Sequence, residues 1–290
     1  MLIVFGASGH IGNALCTRLL AQGKQVLALT RDAQRAEQFV KRGAEAAIID
    51  VQDTDGLRSV LRRGKRAFLL NPPAPVSSDT DKEEHRTARA ILQALQGVSL
   101  EKVVLQSTYG AQPGDYIGDL SVLFELEQGL RRQSTPLSIL RAAYYMSNWD
   151  QMLTPAKQGK LLTMFPADFR LPMVAPDDIA AAAAELLTAP PEPYAIHYVE
   201  GPDMYTPSDV AKAFSASLER SVELDVIPRE KWEQTFLNLG FSPEAALSFR
   251  RMTALTIDSG PEKPRSPRKG RTSLQVYVRD LIIRSEMKSK

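Results

Sequence analysis

The chain has 290 residues, 43% of them hydrophobic, and a formal net charge of +2. A chain of this length buries about three quarters of its extended-chain surface, so a large core is available, in one domain or two. The near-neutral charge gives no overall pull toward nucleic acid or a membrane surface, and a single cysteine excludes an internal disulfide framework.

Residues 2–5 form an apolar run of strand type. They lead into Gly6-Ala7-Ser8-Gly9-His10-Ile11-Gly12 and then a helical pattern through Leu19 and Leu20. Strand, glycine-rich turn and helix in that order predict a phosphate cradle. The first glycine permits the sharp turn, the second leaves room for a pyrophosphate, and the third lets the helix pack close to the strand. Free N–H groups at the helix start, with the positive end of the macrodipole, then face the anion. Cys16, among Leu15, Leu19 and Leu20, reads as a small core residue.

Strands are expected at 25–29, 46–49, 67–70, 102–106 and 137–140, alternating with helices at 32–42, 53–61, 79–95 and 117–132. This alternation predicts βαβ units, a parallel sheet and an α/β fold, with the ligand outside the carboxyl ends of the strands. Beyond Trp149 prolines become frequent. An alanine-rich helix is expected at 177–187 with Asp177 as its N-cap, and a strand at 195–199. Thr206-Pro207-Ser208-Asp209 reads as a capping box that opens a helix carrying Val210, Phe214 and Leu218. A strand at 222–227 and helices at 229–239 and 243–255 follow, and 258–272 reads as an exposed loop. The expected architecture is a Rossmann-type doubly wound parallel sheet over residues 1–150, with a smaller C-terminal α/β lobe over 151–290 that covers the nucleotide and a substrate cleft.

The end of the second strand bears on the choice between NAD and NADP. It reads Thr30-Arg31-Asp32, with Arg35 one turn on. A guanidinium binds a 2′-phosphate through two parallel hydrogen bonds, so Arg31 and Arg35 point to NADP(H) over NAD(H). Asp32 fits a helix N-cap better than a ribose ligand. Asp50 and Val51, after the third strand, are placed at the adenine, although Asp50 also reads as a loop acid that caps the next helix. Asn71, Pro72 and Pro73 are expected to border the ribose or nicotinamide. Candidate cleft residues are Ser107, Thr108 and Tyr109 at the end of one strand and Tyr144 and Tyr145 at the end of another.

These features resemble the NmrA-like group of atypical short-chain dehydrogenases/reductases. The likeness rests on the G-x-x-G-x-x-G loop at 6–12, Thr30-Arg31-Asp32, and Leu140-Arg141 followed by Tyr145-Met146-Ser147-Asn148. Further along it rests on Asp178-Ile179-Ala180, on Gly201-Pro202 leading to Tyr205-Thr206, and on Thr272-Ser273-Leu274 opening a last helix. The resemblance implies NADP(H) in the main lobe, a cleft beneath the small one, and either reduction of a quinone-type substrate or redox sensing without turnover. The Y-x-x-x-K pair of most short-chain dehydrogenases is absent: Pro113 lies four positions after Tyr109, and Leu120 four after Tyr116. The lysine of some relatives, four residues before the glutamate that corresponds to Glu127, is Leu123, and an aliphatic side chain shuttles no proton. No catalytic residue is therefore assigned.

Two functions follow. The first is an NADPH-dependent oxidoreductase that transfers a hydride to a quinone-like or other electron-poor aromatic substrate; the second is a non-catalytic NADP(H)-binding regulator. The basic run Arg265-Ser266-Pro267-Arg268-Lys269-Gly270-Arg271 reads as a solvated loop rather than a nucleic-acid site. His10, His85 and His197 are scattered without metal-ligand spacing, so no metal is expected. The chain starts directly with a strand, without a basic leader or a membrane-length apolar run. This favours the cytoplasm and leaves open a homodimer or a regulatory protein partner.

Overall fold

A computed structural model describes residues 1–288. In chain order the main elements are β1 (Leu2–Val4), α1 (His10–Ala21), β2 (Val26–Thr30), α2 (Ala33–Lys41), β3 (Glu45–Ile48), α3 (Thr54–Leu61), β4 (Arg66–Leu69), α4 (Thr80–Leu95), β5 (Lys102–Thr108), α5 (Asp119–Arg131) and β6 (Leu137–Ala142). There follow β7 (Tyr144–Tyr145), a 3-10 turn (Met146–Met152), α6 (Leu153–Lys157), β8 (Lys160–Thr163), β9 (Leu171–Val174), α7 (Pro176–Thr188), β10 (Tyr194–Glu200), β11 (Met204–Tyr205), α8 (Pro207–Leu218) and β12 (Glu223–Val226). The chain closes with α9 (Trp232–Asn238), α10 (Pro243–Ser259), β13 (Arg268–Lys269) and α11 (Leu274–Lys288).

Eight strands form one parallel sheet in the order β13-β10-β6-β5-β4-β1-β2-β3. Helices cover both faces, which explains why β2 is buried at every residue and why β5 is buried from Lys102 to Ser107. On one face Leu15, Cys16 and Leu19 of α1 pack with Phe39 of α2 and the alanines of α7. On the other, Leu57, Ala88, Ile91, Val122 and Leu126 of α3, α4 and α5 pack under the same strands. Cys16 is fully buried, and burial pushes its thiol up to about 12, so it behaves as a core residue.

The chain does not divide at residue 150. Helix α7 and strands β10 and β13 return to the main sheet, with β10 paired along β6 from Tyr194 to Val199. The small lobe is instead built around β7, β9 and β11, the β8/β12 pair, α6, α8 and α11. Its core holds Met146, Trp149, Leu171, Phe214 and Tyr277. Two further expectations are corrected. Helix α7 starts at Pro176 with Ala175 as its N-cap, so Asp177 sits in the first turn and caps nothing. The stretch 258–272 is not simply an exposed loop: α10 runs to Ser259, and Arg268–Lys269 is the last strand of the main sheet. Its charges are engaged, Arg268 with Glu185 and Lys269 with Glu200. The capping box at Thr206 forms as expected. Among the described residues no helix is long and apolar enough to cross a membrane.

Candidate functional site

The doubly wound order reverses between β1 and β4, and the loops after these strands meet there. Gly6, with φ +58°, turns the chain out of β1, and a Cβ on it would come within 2.8 Å of Leu70. Gly12 has no room for a side chain, since its Cβ would lie 2.2 Å from the carbonyl oxygen of Gly6. Helix α1 is thereby pressed onto the strand end. Gly9 is different: its Cβ would meet only the Gly6 carbonyl oxygen, at 3.4 Å. Open space lies over Gly9, which is the N-cap of α1 and makes no side-chain cap bond. Ser8, Gly9 and His10 are exposed, Ala7 and Ile11 are buried, and Ala7 N–H is used on Leu29 O. The loop thus fits an anion at the uncapped helix start. His10 Nε2 lies 3.6 Å from Asp150, whose carboxylate also accepts a hydrogen bond from Tyr277 Oη at 2.7 Å.

At the end of β2, Asp32 accepts the Arg35 N–H at 3.1 Å and is the α2 N-cap. Arg31 and Arg35 are exposed, with Arg35 touching Gln38 at 3.4 Å, and the neighbouring Thr30 Oγ1 lies 3.4 Å from Ser8 Oγ of the glycine loop. Asp50 does not cap α3. Its carboxylate accepts the Gln52 N–H at 2.9 Å inside the loop, and Asp53 makes the cap through the Gly56 N–H. Val51 is half-buried against the core. After β4, Asn71 donates from Nδ2 to the Glu84 carbonyl at 3.1 Å, while its Oδ1 is buried without a partner among the described residues. Pro72 is half-buried beside it.

Two of the five expected cleft residues are withdrawn into the protein. Ser107 is fully buried and donates to Glu127 at 2.5 Å. Tyr109 is buried edge-on against Tyr198 and donates to Glu200 at 3.0 Å; burial and then the Glu200 carboxylate push its hydroxyl far above the usual phenol range. Ser107 belongs to a polar hub at the strand ends, and Tyr109 lies beside it. Arg141 donates from Nε and Nη2 to the two Glu127 oxygens, at 2.9 and 2.7 Å, and reaches Glu262 at 3.4 Å. Glu262 also accepts from Tyr198 Oη at 2.7 Å and Gly110 N–H at 2.8 Å. Burial works against the Arg141 charge, but the Glu127 carboxylate, joined by Glu262, outweighs it, and the guanidinium is held charged more firmly than usual. Glu262 lies in the stretch expected to be loose, and nothing local in its sequence signals the partnership.

Thr108, Tyr144 and Tyr145 remain half-buried at or just beyond the strand ends. Tyr144 packs edge-on to Phe165 (5.7 Å) and tilted to Trp149 (6.2 Å), and Phe165 stacks on Phe169 at 5.7 Å with planes 8° apart. This aromatic wall belongs to the small lobe; Phe165 and Phe169 escape sequence reasoning because no periodicity marks them. Tyr145 Oη accepts from Gln106 Nε2 at 3.2 Å. Burial pushes the hydroxyls of Tyr144, to about 12, and of Tyr145 upward, so both are protonated donors at neutral pH. Two carboxyls approach the same region. Glu84 Oε1 accepts the Ala74 N–H at 2.9 Å, and burial followed by the charge of Asp119 raises its affinity for a proton well above the usual carboxylate range. Asp119, at the start of α5, is exposed, and desolvation by the neighbouring protein shifts its carboxyl upward.

The sequence profile of the NmrA-like family matches residues 1–277. The chain belongs to that family. Among its relatives, the NAD(P)H azoreductase of Xenophilus azovorans is 25% identical over 256 residues, covering 88% of this chain and 87% of that one. A (4-alkanoyl-5-oxo-2,5-dihydrofuran-3-yl)methyl phosphate reductase of Streptomyces griseus is 26% identical over 254 residues, covering 86% and 84%. Among solved structures, the triphenylmethane reductase of Citrobacter sp. complexed with NADP(H) superposes with a TM-score of 0.80 at 18% identity, covering 97% of this chain and all of that one, and so shares the fold. In this NmrA-like chain the Glu127–Arg141 pair is a structural tie. Glu127→Ala is expected to destabilise the protein by about 3–5 kcal/mol in chemical denaturation, because it strands a buried guanidinium. Replacing both ends, Glu127→Leu with Arg141→Met, recovers part of that loss; a loss below about 1 kcal/mol for the single variant would contradict the assignment.

Proposed function

We infer that the protein is an NADPH-dependent oxidoreductase that reduces an electron-poor, flat aromatic acceptor, of quinone or azo type, by hydride transfer. The observation that carries this reading is the uncapped start of α1, with open space over Gly9, at the same strand ends as Tyr144 and Tyr145. The names of the relatives, an NAD(P)H azoreductase and a reductase complexed with NADP(H), support it. When bound, the nucleotide supplies the hydride; the chain supplies binding, orientation and electrostatics.

Gly6, Ala7, Ser8, Gly9, His10, Ile11 and Gly12 hold the pyrophosphate. Arg31, with Arg35 beside it, takes the 2′-phosphate, and this is the basis for preferring NADP(H) to NAD(H). Asp50 and Val51 border the adenine, and Asn71 and Pro72 the ribose or nicotinamide. Asn71 Oδ1 is a spare acceptor there. The stacked Phe165 and Phe169, with Tyr144, offer a flat apolar wall that suits a planar substrate.

Turnover separates this reading from a nucleotide sensor. NADPH oxidation above background, saturating in a quinone or an azo dye, supports the enzyme; tight NADPH binding with no turnover across a panel of both overturns it. Gly9→Val is expected to abolish nucleotide binding by calorimetry while the thermal midpoint stays within a few degrees. The φ of −81° suits valine, and only the empty space is filled. Unchanged affinity would remove the cradle. Arg31→Glu is expected to weaken NADPH at least about tenfold more than NADH, since a like charge replaces a phosphate partner. Equal losses would place the 2′-phosphate elsewhere.

A further inference from the structure

The glycine loop carries one ionisable side chain. Residues 6–12 hold no lysine, arginine or acid, and the first turn of α1 adds none, so His10 is the side chain there that can meet an anion with a charge. It follows the Gly9 N-cap directly and is largely exposed, so a ligand can reach it. The other two histidines of the chain are engaged elsewhere, His85 by Glu125 and His197 by Glu192.

A carboxylate from the small lobe faces the His10 ring. Asp150 lies in the 3-10 turn Met146–Met152, and its Oδ2 is 3.6 Å from His10 Nε2. Its other oxygen, Oδ1, accepts the Tyr277 hydroxyl of α11 at 2.7 Å, and Tyr277 is buried in the small-lobe core. Asp150 is thereby held in place. Burial raises its carboxyl, opposed by the Tyr277 hydrogen bond and then by the charges of His10 and Arg284, so its ionised form gains from a nearby cation. Arg284 of α11 lies 5.8 Å over the Tyr277 ring, and the charge of Asp177 in α7 also acts on Tyr277. From the main lobe, Thr30 of β2 touches Ser8, with the exposed Arg31 next to it, and Arg42 of α2 donates to Asn13, one turn on from Gly9.

A dinucleotide at this helix start adds a second anion near the same imidazole. Its diphosphate carries two negative charges, and Asp150 carries another. A neutral ring leaves these anions to repel each other, whereas a charged ring pairs with both. Imidazole is the side chain that ordinarily changes charge between pH 5 and 8, so the site can gain its cation by taking a proton from solvent.

We propose that His10 serves the diphosphate as an imidazolium, with Asp150 as its positioning residue, so that nucleotide binding takes up a proton and ties the small lobe to the glycine loop. This role rests on the nucleotide reading of that loop. The bound state then holds more protons than the free state, so affinity falls as pH rises.

Calorimetric titration with NADPH at pH 7.5, in buffers of different ionisation enthalpy, counts the protons taken up. The 2′-phosphate has an equilibrium of its own at about pH 6, so the count is read as a difference between variants. The wild type is expected to take up about half a proton more than His10→Gln, which keeps a donor and cannot charge. Its affinity relative to His10→Gln should fall about fivefold to tenfold between pH 6.5 and 8.5. Asp150→Asn still accepts the Tyr277 hydrogen bond but has lost its charge, and is expected to take up fewer protons than the wild type. A merely structural role would leave that count unchanged. His10→Arg, with a fixed charge, is expected to bind NADPH at pH 8.5 more tightly than His10→Gln. Equal proton counts in wild type and His10→Gln overturn the proposal, and an Asp150→Asn count equal to wild type overturns the positioning role. If His10→Gln binds too weakly to count, His10→Arg decides: retained binding supports the imidazolium, and loss of binding overturns it. Absence of heat with both NADPH and NADH in the wild type would overturn the nucleotide reading itself, and this role with it.

Discussion

Helix α1 starts where it does because Gly12 has no side chain. A single Cβ there would lie 2.2 Å from the Gly6 carbonyl oxygen. That contact draws the helix start to the end of β1 and leaves the N–H groups of its first turn facing the space over Gly9. The rest of the main lobe follows from this placement. The alanines of α7 allow it to pack closely on α1, and the order β4-β1-β2 sets the loops after β1 and β4 side by side at the point where the winding reverses. Gly6 and Gly12 let the layers close, and Gly9 between them leaves the space at the helix start free of side chains.

The connection after α10 is tied to the end of the main sheet by charge and hydrogen bonds. Glu262, from the connection after α10, bonds Gly110 N–H, Tyr198 and Arg141, and Arg141 in turn is gripped by the buried Glu127. The connection could not lie there without these bonds, because a buried guanidinium and a buried carboxylate each need a partner. Ser107 and Tyr109, which stand at the strand end expected for substrate contact, are unavailable for the same reason: the Ser107 hydroxyl is taken by Glu127 of the hub and the Tyr109 hydroxyl by Glu200 beside it. A hydroxyl satisfied inside the protein is a poor donor to a ligand outside it.

Much of the fold was legible in the sequence, because it is written in short-range patterns. The glycine spacing, the alternation of apolar runs with helical patterns, and the Thr206–Asp209 cap all reappear within a residue or two. Asp32 as a cap was legible for the same reason, since the bond it makes is three residues long. Asp50, placed at the adenine with capping of α3 as its other reading, does not make that cap: Asp53 stands at the right distance, and Asp50 turns on Gln52. The boundary at residue 150 failed because the pairing of β10 with β6 joins segments over fifty residues apart, and no local signal records it. Glu262 and the Phe165–Phe169 stack were missed on the same ground. The cleft residues were read from their position at strand ends, which fixes where a backbone leads but not whether a hydroxyl has already found a partner.

The carboxyls of α4 and α5 run against a common expectation. Asp119 opens α5, where the macrodipole favours an ionised acid, by about 0.3–1 kcal/mol and up to about 2 in partly buried geometry. One pKa unit corresponds to about 1.4 kcal/mol, so the dipole lowers such a group by one unit or a little more. Desolvation acts the other way and reaches several units when a carboxyl is enclosed. Glu84, buried on α4 with its Oε1 on the Ala74 N–H, is raised in this way, burial ahead of the neighbouring Asp119 charge. Asp119 is shifted in the same direction, but its side chain is open to solvent, which screens it. The proton affinity of Glu84 therefore arises from how the layers close around it and not from its sequence context.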